Sequence, residues 1–172
     1  MNNHQIRKIL NSHPKTRNIF VSVHAADTLP EKPRFRKPCA YICNTDVASG
    51  PGKHWVCFFF PRENIGEYYD SYGHAPSEEF ARFLGFPYRW NGVSVQSDYS
   101  TACGQHVIYY IFKRSCEISM DGIVHNFHPR NRKMNDDLVN EAVESAFGVD
   151  LNVFDVGFVM KQVSTTLKKR SV

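Results

Sequence analysis

Gln96-Ser-Asp-Tyr-Ser-Thr-Ala-Cys103-Gly104 is a polar stretch that runs into the apolar segment Val107-Ile-Tyr-Tyr-Ile-Phe112. The pattern reads as a loop that delivers a cysteine to the first turn of a buried helix, spanning Cys103 to Lys113. A thiolate at that position is stabilised by the positive end of the helix dipole. Small neighbours, Ala102 and Gly104, keep the sulfur accessible, and Gly104 lets a substrate backbone come close. A cysteine considered alone is more often a small buried hydrophobe. The weight given to Cys103 therefore depends on what the rest of the chain brings to it.

Working outward, His54-Trp-Val-Cys-Phe-Phe-Phe60 is the clearest strand, apolar on both faces and hence central. Ile65 to Tyr69 reads as a second strand, joined to the first as a hairpin. Asp70 follows its end, just before Ser71-Tyr72-Gly73. In such a hairpin the ends at His54 and Asp70 fall side by side, so the acid can orient the imidazole and favour its charged form. The competing reading of Asp70 is an ordinary turn aspartate. Gln96, seven residues before Cys103, has a side-chain amide able to donate to a developing oxyanion together with the Cys103 N–H. Alone it reads equally as a solvated loop residue. Histidine, acid, glutamine and cysteine in one chain, each at the end of an element, make up the parts of a cysteine hydrolase.

The remaining pattern gives the fold class. A short helix is expected over residues 2–10, a polar turn over Asn11 to Asn18, and strands at Ile19 to Val23 and Ala40 to Cys43. Leu29 to Pro38 carries three prolines and reads as an extended surface loop. Ser77 caps a helix over Glu78 to Leu84 with Gly85 as its stop. A short strand is expected at Val93 to Val95, a helix with an asparagine cap at Asn135 to Phe147, and a last helix at Asn152 to Leu167. This order predicts an α+β fold, with a small mixed or antiparallel sheet packed against a central helix that bears the cysteine.

At 172 residues the chain is long enough to bury a core, and a single domain over residues 1–172 is expected. Thirteen Phe and eight Tyr fit a well-filled interior. The net charge of +4 permits weak attraction to nucleic acid without requiring it. No stretch approaches the roughly 18 apolar residues of a membrane span, and the N-terminal residues lack the apolar core of a secretory signal. Neither a membrane protein nor a secreted one is expected. Five cysteines, with no CxxC pair, argue against a disulfide framework and a structural zinc site. His125-Asn-Phe-His128 reads as a loop, because Pro129 follows and no further ligand lies nearby.

The set His54-Trp55, Asp70, Gln96 and Cys103-Gly104 resembles the adenovirus-type cysteine proteases and, more distantly, the SUMO-protease group of the same papain-related fold. Cys39-Ala-Tyr-Ile-Cys-Asn44-Thr45, Tyr68-Tyr-Asp-Ser-Tyr-Gly73 and Ala102-Cys-Gly104 carry the likeness, which covers roughly residues 1–115. The resemblance implies Cys103 as nucleophile, His54 as general base, Asp70 as third member and Gln96 with the Cys103 N–H as oxyanion hole. Trp55 is then the candidate that narrows the substrate channel, and Gly104 the second substrate-binding residue. The implied activity is an endopeptidase that cuts viral precursor polypeptides after glycine and acts as a monomer without metal or cofactor. The implied setting is the virion or the nucleus or cytoplasm of a host cell, and the source a DNA virus or a Polinton-like element. Activation by DNA or a short peptide is open. No cysteine falls between Gly85 and Val95, where the partner thiol of a disulfide-linked activator should lie. Asp70 stands where the adenoviral enzymes usually carry glutamate, which shortens the reach but keeps the role. Two other readings are an isopeptidase acting on ubiquitin-like conjugates and a non-catalytic capsid- or nucleic-acid-binding module on the same scaffold.

Overall fold

Side-chain alternation explains the sheet. In β2 (Cys39–Asn44), Ala40 and Ile42 face one side, while Cys39, Tyr41 and Cys43 face the other. In β3 (Trp55–Phe60), Trp55, Cys57 and Phe59 join the first set, and Val56, Phe58 and Phe60 the second. Both strands are buried along their whole length, as residues apolar on both faces require. β1 (Phe20–Ala25) runs parallel to β2, and β2 runs antiparallel to β3. β4 (Gly66–Tyr69) is antiparallel to β3, and β5 (Tyr88–Trp90) is parallel to β4. The result is one mixed sheet of order β1-β2-β3-β4-β5. The computed structural model describes residues 1–33, 37–62 and 65–152.

Helices cover both faces. On the first lie α1 (Asn3–Ser12), α2 (Pro14–Ile19), α4 (Cys103–Ser115), α5 (Met120–His125) and α6 (Arg132–Phe147). α4 is the centre of this layer, buried from Gly104 to Ile111 and packed on β3 and α6. On the second face α3 (Glu78–Leu84) sets Phe80, Phe83 and Leu84 against β2, β3 and β4. Phe83 meets Tyr41 and Phe58 edge-on at 5.3 and 5.1 Å, the arrangement ring quadrupoles favour. The Ser77 hydroxyl caps α3, and Gly85 ends it with φ 75°, a value that favours glycine.

The α+β class and the cysteine-bearing central helix agree with the sequence. Several local features differ. Residues 14–19 form a helix and not a turn, because Pro14 occupies the first helical position and the His13 ring accepts from Lys15 N–H. Val93 to Val95 is not a strand; the N–H groups of Val95 and Gln96 both donate to the Ser71 carbonyl, which leaves no ladder to extend. The extra strand is instead Tyr88–Trp90. α6 starts at Arg132, since Asn131 and not Asn135 is the cap. His125 is the last residue of α5, a helix the sequence reading did not anticipate, and His128 lies beyond it. The helix expected over Asn152 to Leu167 lies outside the described residues from position 153 onward.

Candidate active site

The β3–β4 hairpin carries the first pair. Cys57 pairs with Tyr69, so continuing the register by one residue sets Asp70 opposite Val56 and on a diagonal with His54. The His54 Nε2 and Asp70 Oδ1 are 2.8 Å apart. Asp70 is held on every side. The same Oδ1 accepts the Tyr72 N–H at 2.8 Å, and Oδ2 lies 3.5 Å from His74 Nδ1. The Asn91 side chain clamps the Asp70 backbone, accepting its N–H at 2.9 Å and donating to its carbonyl at 2.7 Å. The turn that follows needs glycine at position 73, where φ is 74° and a side chain would collide with the Val93 backbone.

Cys103 opens α4. Its N-cap, Ala102, has no side-chain oxygen, so the first N–H groups of the helix are left without a cap. Because Nε2 of His54 is taken by Asp70, Nδ1 is the nitrogen left for the thiol. Burial of Cys103 favours the thiol form. The hydrogen bond from His54, another from the Trp55 backbone, and the charges of His54 and the amino terminus outweigh it and hold the pKa below its ordinary value. Burial likewise opposes the charged form of His54, yet its bonds to Asp70 and Cys103 raise its pKa to about 9. Opposite shifts in two neighbouring groups favour transfer of the thiol proton to the imidazole, the direction of a thiolate–imidazolium pair. Tyr72 lies over the imidazole, ring centroids 4.8 Å apart, and shields one face of it.

Gln96 is fully buried. Its Oε1 accepts the Ser71 hydroxyl at 2.6 Å, and its Nε2 donates to the Ser100 carbonyl and hydroxyl, both at 3.0 Å, and to the Tyr72 hydroxyl at 3.3 Å. The amide thus braces the loop over residues 96–102 from inside. It does not line the cleft, whereas Ser100 and Thr101 do. The next residue, Ser97, donates its N–H to Asp136 on α6, and Asp136 bonds His106 on α4 at 2.8 Å.

A cleft of about 480 Å³ is lined by His54, Trp55 and Cys103 together with Met1 and Gly50 to Lys53. Trp55, expected to narrow a substrate channel, borders it but belongs mostly to the core, at 6 % exposure. Gly104, expected to admit a substrate backbone, is covered by the Met1 side chain. The sequence reading missed Tyr72, Asn91 and Met1. The spacing Asp70-x-Tyr72 is a signal for the first, whereas nothing local marks the other two. Among the described residues no group of three or more His, Cys, Asp or Glu side chains could hold a metal ion, and no helix is long and apolar enough to cross a membrane. None of the five cysteines is in a disulfide.

No protein-family model and no curated protein sequence matches the chain. Solved structures do. A crystal structure of the ASFV pS273R protease aligns over 80 % of this chain and 65 % of its own, with a TM-score of 0.50 and 17 % identity. A selenomethionine form of that protease aligns over 58 % and 44 %, with a TM-score of 0.40 and 22 % identity. The chain spans less than two thirds of that protease's length. At such identity the likeness is one of fold.

Proposed function

We propose that this protein is a cysteine endopeptidase in which Cys103 is the nucleophile, His54 the general base and acid, and Asp70 the group that orients His54. The observation that carries the reading is that His54, bonded to Asp70 at 2.8 Å through Nε2, lines one cleft with Cys103 at the start of α4, each shifting the other's pKa toward the charged form.

The chemistry follows. The thiolate attacks the peptide carbonyl carbon, and the carbonyl π electrons move onto oxygen. Uncapped N–H groups at the start of α4, that of Cys103 first, face the negative oxygen. In this reading the Gln96 amide, bonded to Ser100 and Tyr72 beneath the same loop, is the further donor. The tetrahedral intermediate collapses with loss of the amine, which takes the imidazolium proton and leaves a thioester. His54 then removes a proton from water, the hydroxide adds to the thioester carbonyl, and the tetrahedral intermediate expels the thiolate; the carboxylic acid product leaves and gives its proton to solvent, and the thiolate–imidazolium pair is restored.

The substrate in this reading is a precursor polypeptide cut after glycine, with the protein at work in a virion or in the nucleus or cytoplasm of an infected cell. Support for the finer statement is the resemblance of the sequence to the adenovirus-type proteases, together with the fold shared with a viral protease. DNA stimulation belongs to the same reading, with the basic residues Arg130, Arg132 and Lys133 as its contact. The test is cleavage of glycine-containing peptides by the wild type and by Cys103→Ala. The variant should keep its fold and lose all activity; residual cleavage by it would remove Cys103 from the reaction. Intact ubiquitin-like conjugates run alongside the peptides separate an isopeptidase from an endopeptidase.

A further inference from the structure

The start of the chain is fixed in place. Asn2 and Gln5 form a reciprocal capping box, with Gln5 N–H on Asn2 Oδ1 at 3.0 Å and Asn2 N–H on Gln5 Oε1 at 2.7 Å. Ile6, Ile9 and Leu10 sink the first helix into the main core. Residue 1 therefore projects from a rigid support. Its carbonyl accepts the indole N–H of Trp55 at 3.3 Å, so the one polar atom of that buried side chain is satisfied by the chain's own first residue.

The Met1 side chain lies on Gly104. A Cβ at position 104 would stand 3.1 Å from Met1 Cβ and 3.2 Å from its Sδ. Gly104 is the second residue of α4, and its bare Cα makes the seat for the methionine. Gly104 is the neighbour of Cys103, and Met1 lines the same cleft as Cys103 and His54. An unbranched thioether side chain fills such an irregular gap well.

We propose that Met1 is a specificity-determining residue: seated on Gly104 and tied to Trp55, it forms the wall beside Cys103 and limits the size of the substrate residue admitted there. The proposal rests on the peptidase reading for its consequence but not for its geometry. A wall of this kind admits glycine and turns away branched side chains.

The test compares the full chain with Met1→Ala and Met1→Leu, each made behind a removable tag, with position 1 verified by intact mass. The substrates are peptides alike except for Gly, Ala or Val before the scissile bond. In Met1→Ala the ratio of kcat/KM for Gly over Val should fall at least about tenfold, the discrimination a few methylenes provide. Met1→Leu should keep the wild-type ratio. An unchanged ratio in Met1→Ala overturns the proposal. So does an equal rise in kcat/KM on every peptide, which would make Met1 a cover and not a wall. If Met1→Ala melts early, Met1→Val removes less volume and should move the ratio in the same direction. Alkylation of Cys103 by iodoacetamide and by N-phenylmaleimide gives a second readout without peptide cleavage. The bulky reagent should gain on the small one in Met1→Ala. That gain without peptide cleavage by the wild type would leave the wall standing and end the peptidase reading; no gain would end the wall.

Discussion

His54 Nε2 lies 2.8 Å from Asp70 Oδ1 across the diagonal of the β3–β4 hairpin, and this contact fixes which imidazole nitrogen meets Cys103. His54 immediately precedes β3 and Asp70 immediately follows β4, so the ladder between the two strands sets their spacing. Cys103 comes from another direction, at the start of the helix that packs on β3.

The opposed shifts of Cys103 and His54 predict a bell-shaped pH profile for kcat/KM. Activity should rise as pH passes the lowered Cys103 value and fall as it passes about 9, where the imidazolium is lost. Rapid Cys103 alkylation should persist below the ordinary cysteine range and disappear in His54→Ala. A thiol titrating in the ordinary range in the wild type would contradict the ion pair.

The same shift has a consequence for stability. The His54 pKa is raised in the folded chain above its unfolded value of about 6.5. The His54 share of stability is therefore complete below about pH 6.5 and lost as pH rises through about 9, while the lowered Cys103 pKa contributes a share of opposite sign, complete above the ordinary cysteine range and lost as pH falls through the lowered value. The two shares offset each other in the wild type, so denaturant melts between pH 6 and 10 in a Cys103→Ser background should show the His54 loss that the wild type masks, and it should be smaller again in Asp70→Asn.

Asp70→Asn should keep the fold, because Asn91 holds the backbone at position 70 independently of the carboxylate. It should lower the His54 pKa and cut kcat by up to about 10⁴, as removal of the orienting acid does in a comparable triad. Steady-state kinetics with a circular-dichroism control checks both halves. Wild-type kcat in the variant would reduce Asp70 to a turn residue.

Gln96→Ala should cost about 10²–10³ in kcat if its amide serves the oxyanion. Cys103 alkylation should be unaffected, because the amide does not contact the thiol. A parallel loss of alkylation would instead assign Gln96 to bracing the 96–102 loop through Ser71 and Ser100.

His106 is buried and bonds Asp136 at 2.8 Å, with the Tyr69 hydroxyl 3.3 Å from its other nitrogen. Burial lowers the His106 pKa, so the ring meets Asp136 as a neutral donor, and His106→Phe would leave the buried carboxylate without that hydrogen bond, at a cost of about 1–3 kcal/mol. Because Asp136 also accepts the Ser97 N–H, the loop next to Gln96 should loosen as well. Urea melts and proteolysis within residues 96–102 would report the two effects.

Elements with strong local signals were legible in the sequence. β3 has apolar residues on both faces, α3 has a serine cap and a glycine stop, and α4 has a buried face that begins at a cysteine. The misreadings lie where a distant contact decides. Asn11 to Asn18 reads locally as a polar turn, yet Pro14 takes the first position of α2, which packs beside α4. Val93 to Val95 has the composition of a strand, but the Ser71 carbonyl takes the N–H groups a ladder would need. Asn131 outcompeted Asn135 as the cap because Asn135 is turned inward, donating to the carbonyls of Val95 and His128.

By itself the sequence determined the fold class, the hairpin that joins His54 to Asp70, and the helix start at Cys103. These follow from periodicity and from caps and turns within a few residues of one another. Only the tertiary structure decided the rest: that His54 reaches both Asp70 and Cys103, that Gln96 faces inward onto Ser100, and that Met1 sits on Gly104. Those contacts join residues up to 103 positions apart. No local pattern encodes them, because they form only when the sheet and its helices close on one core.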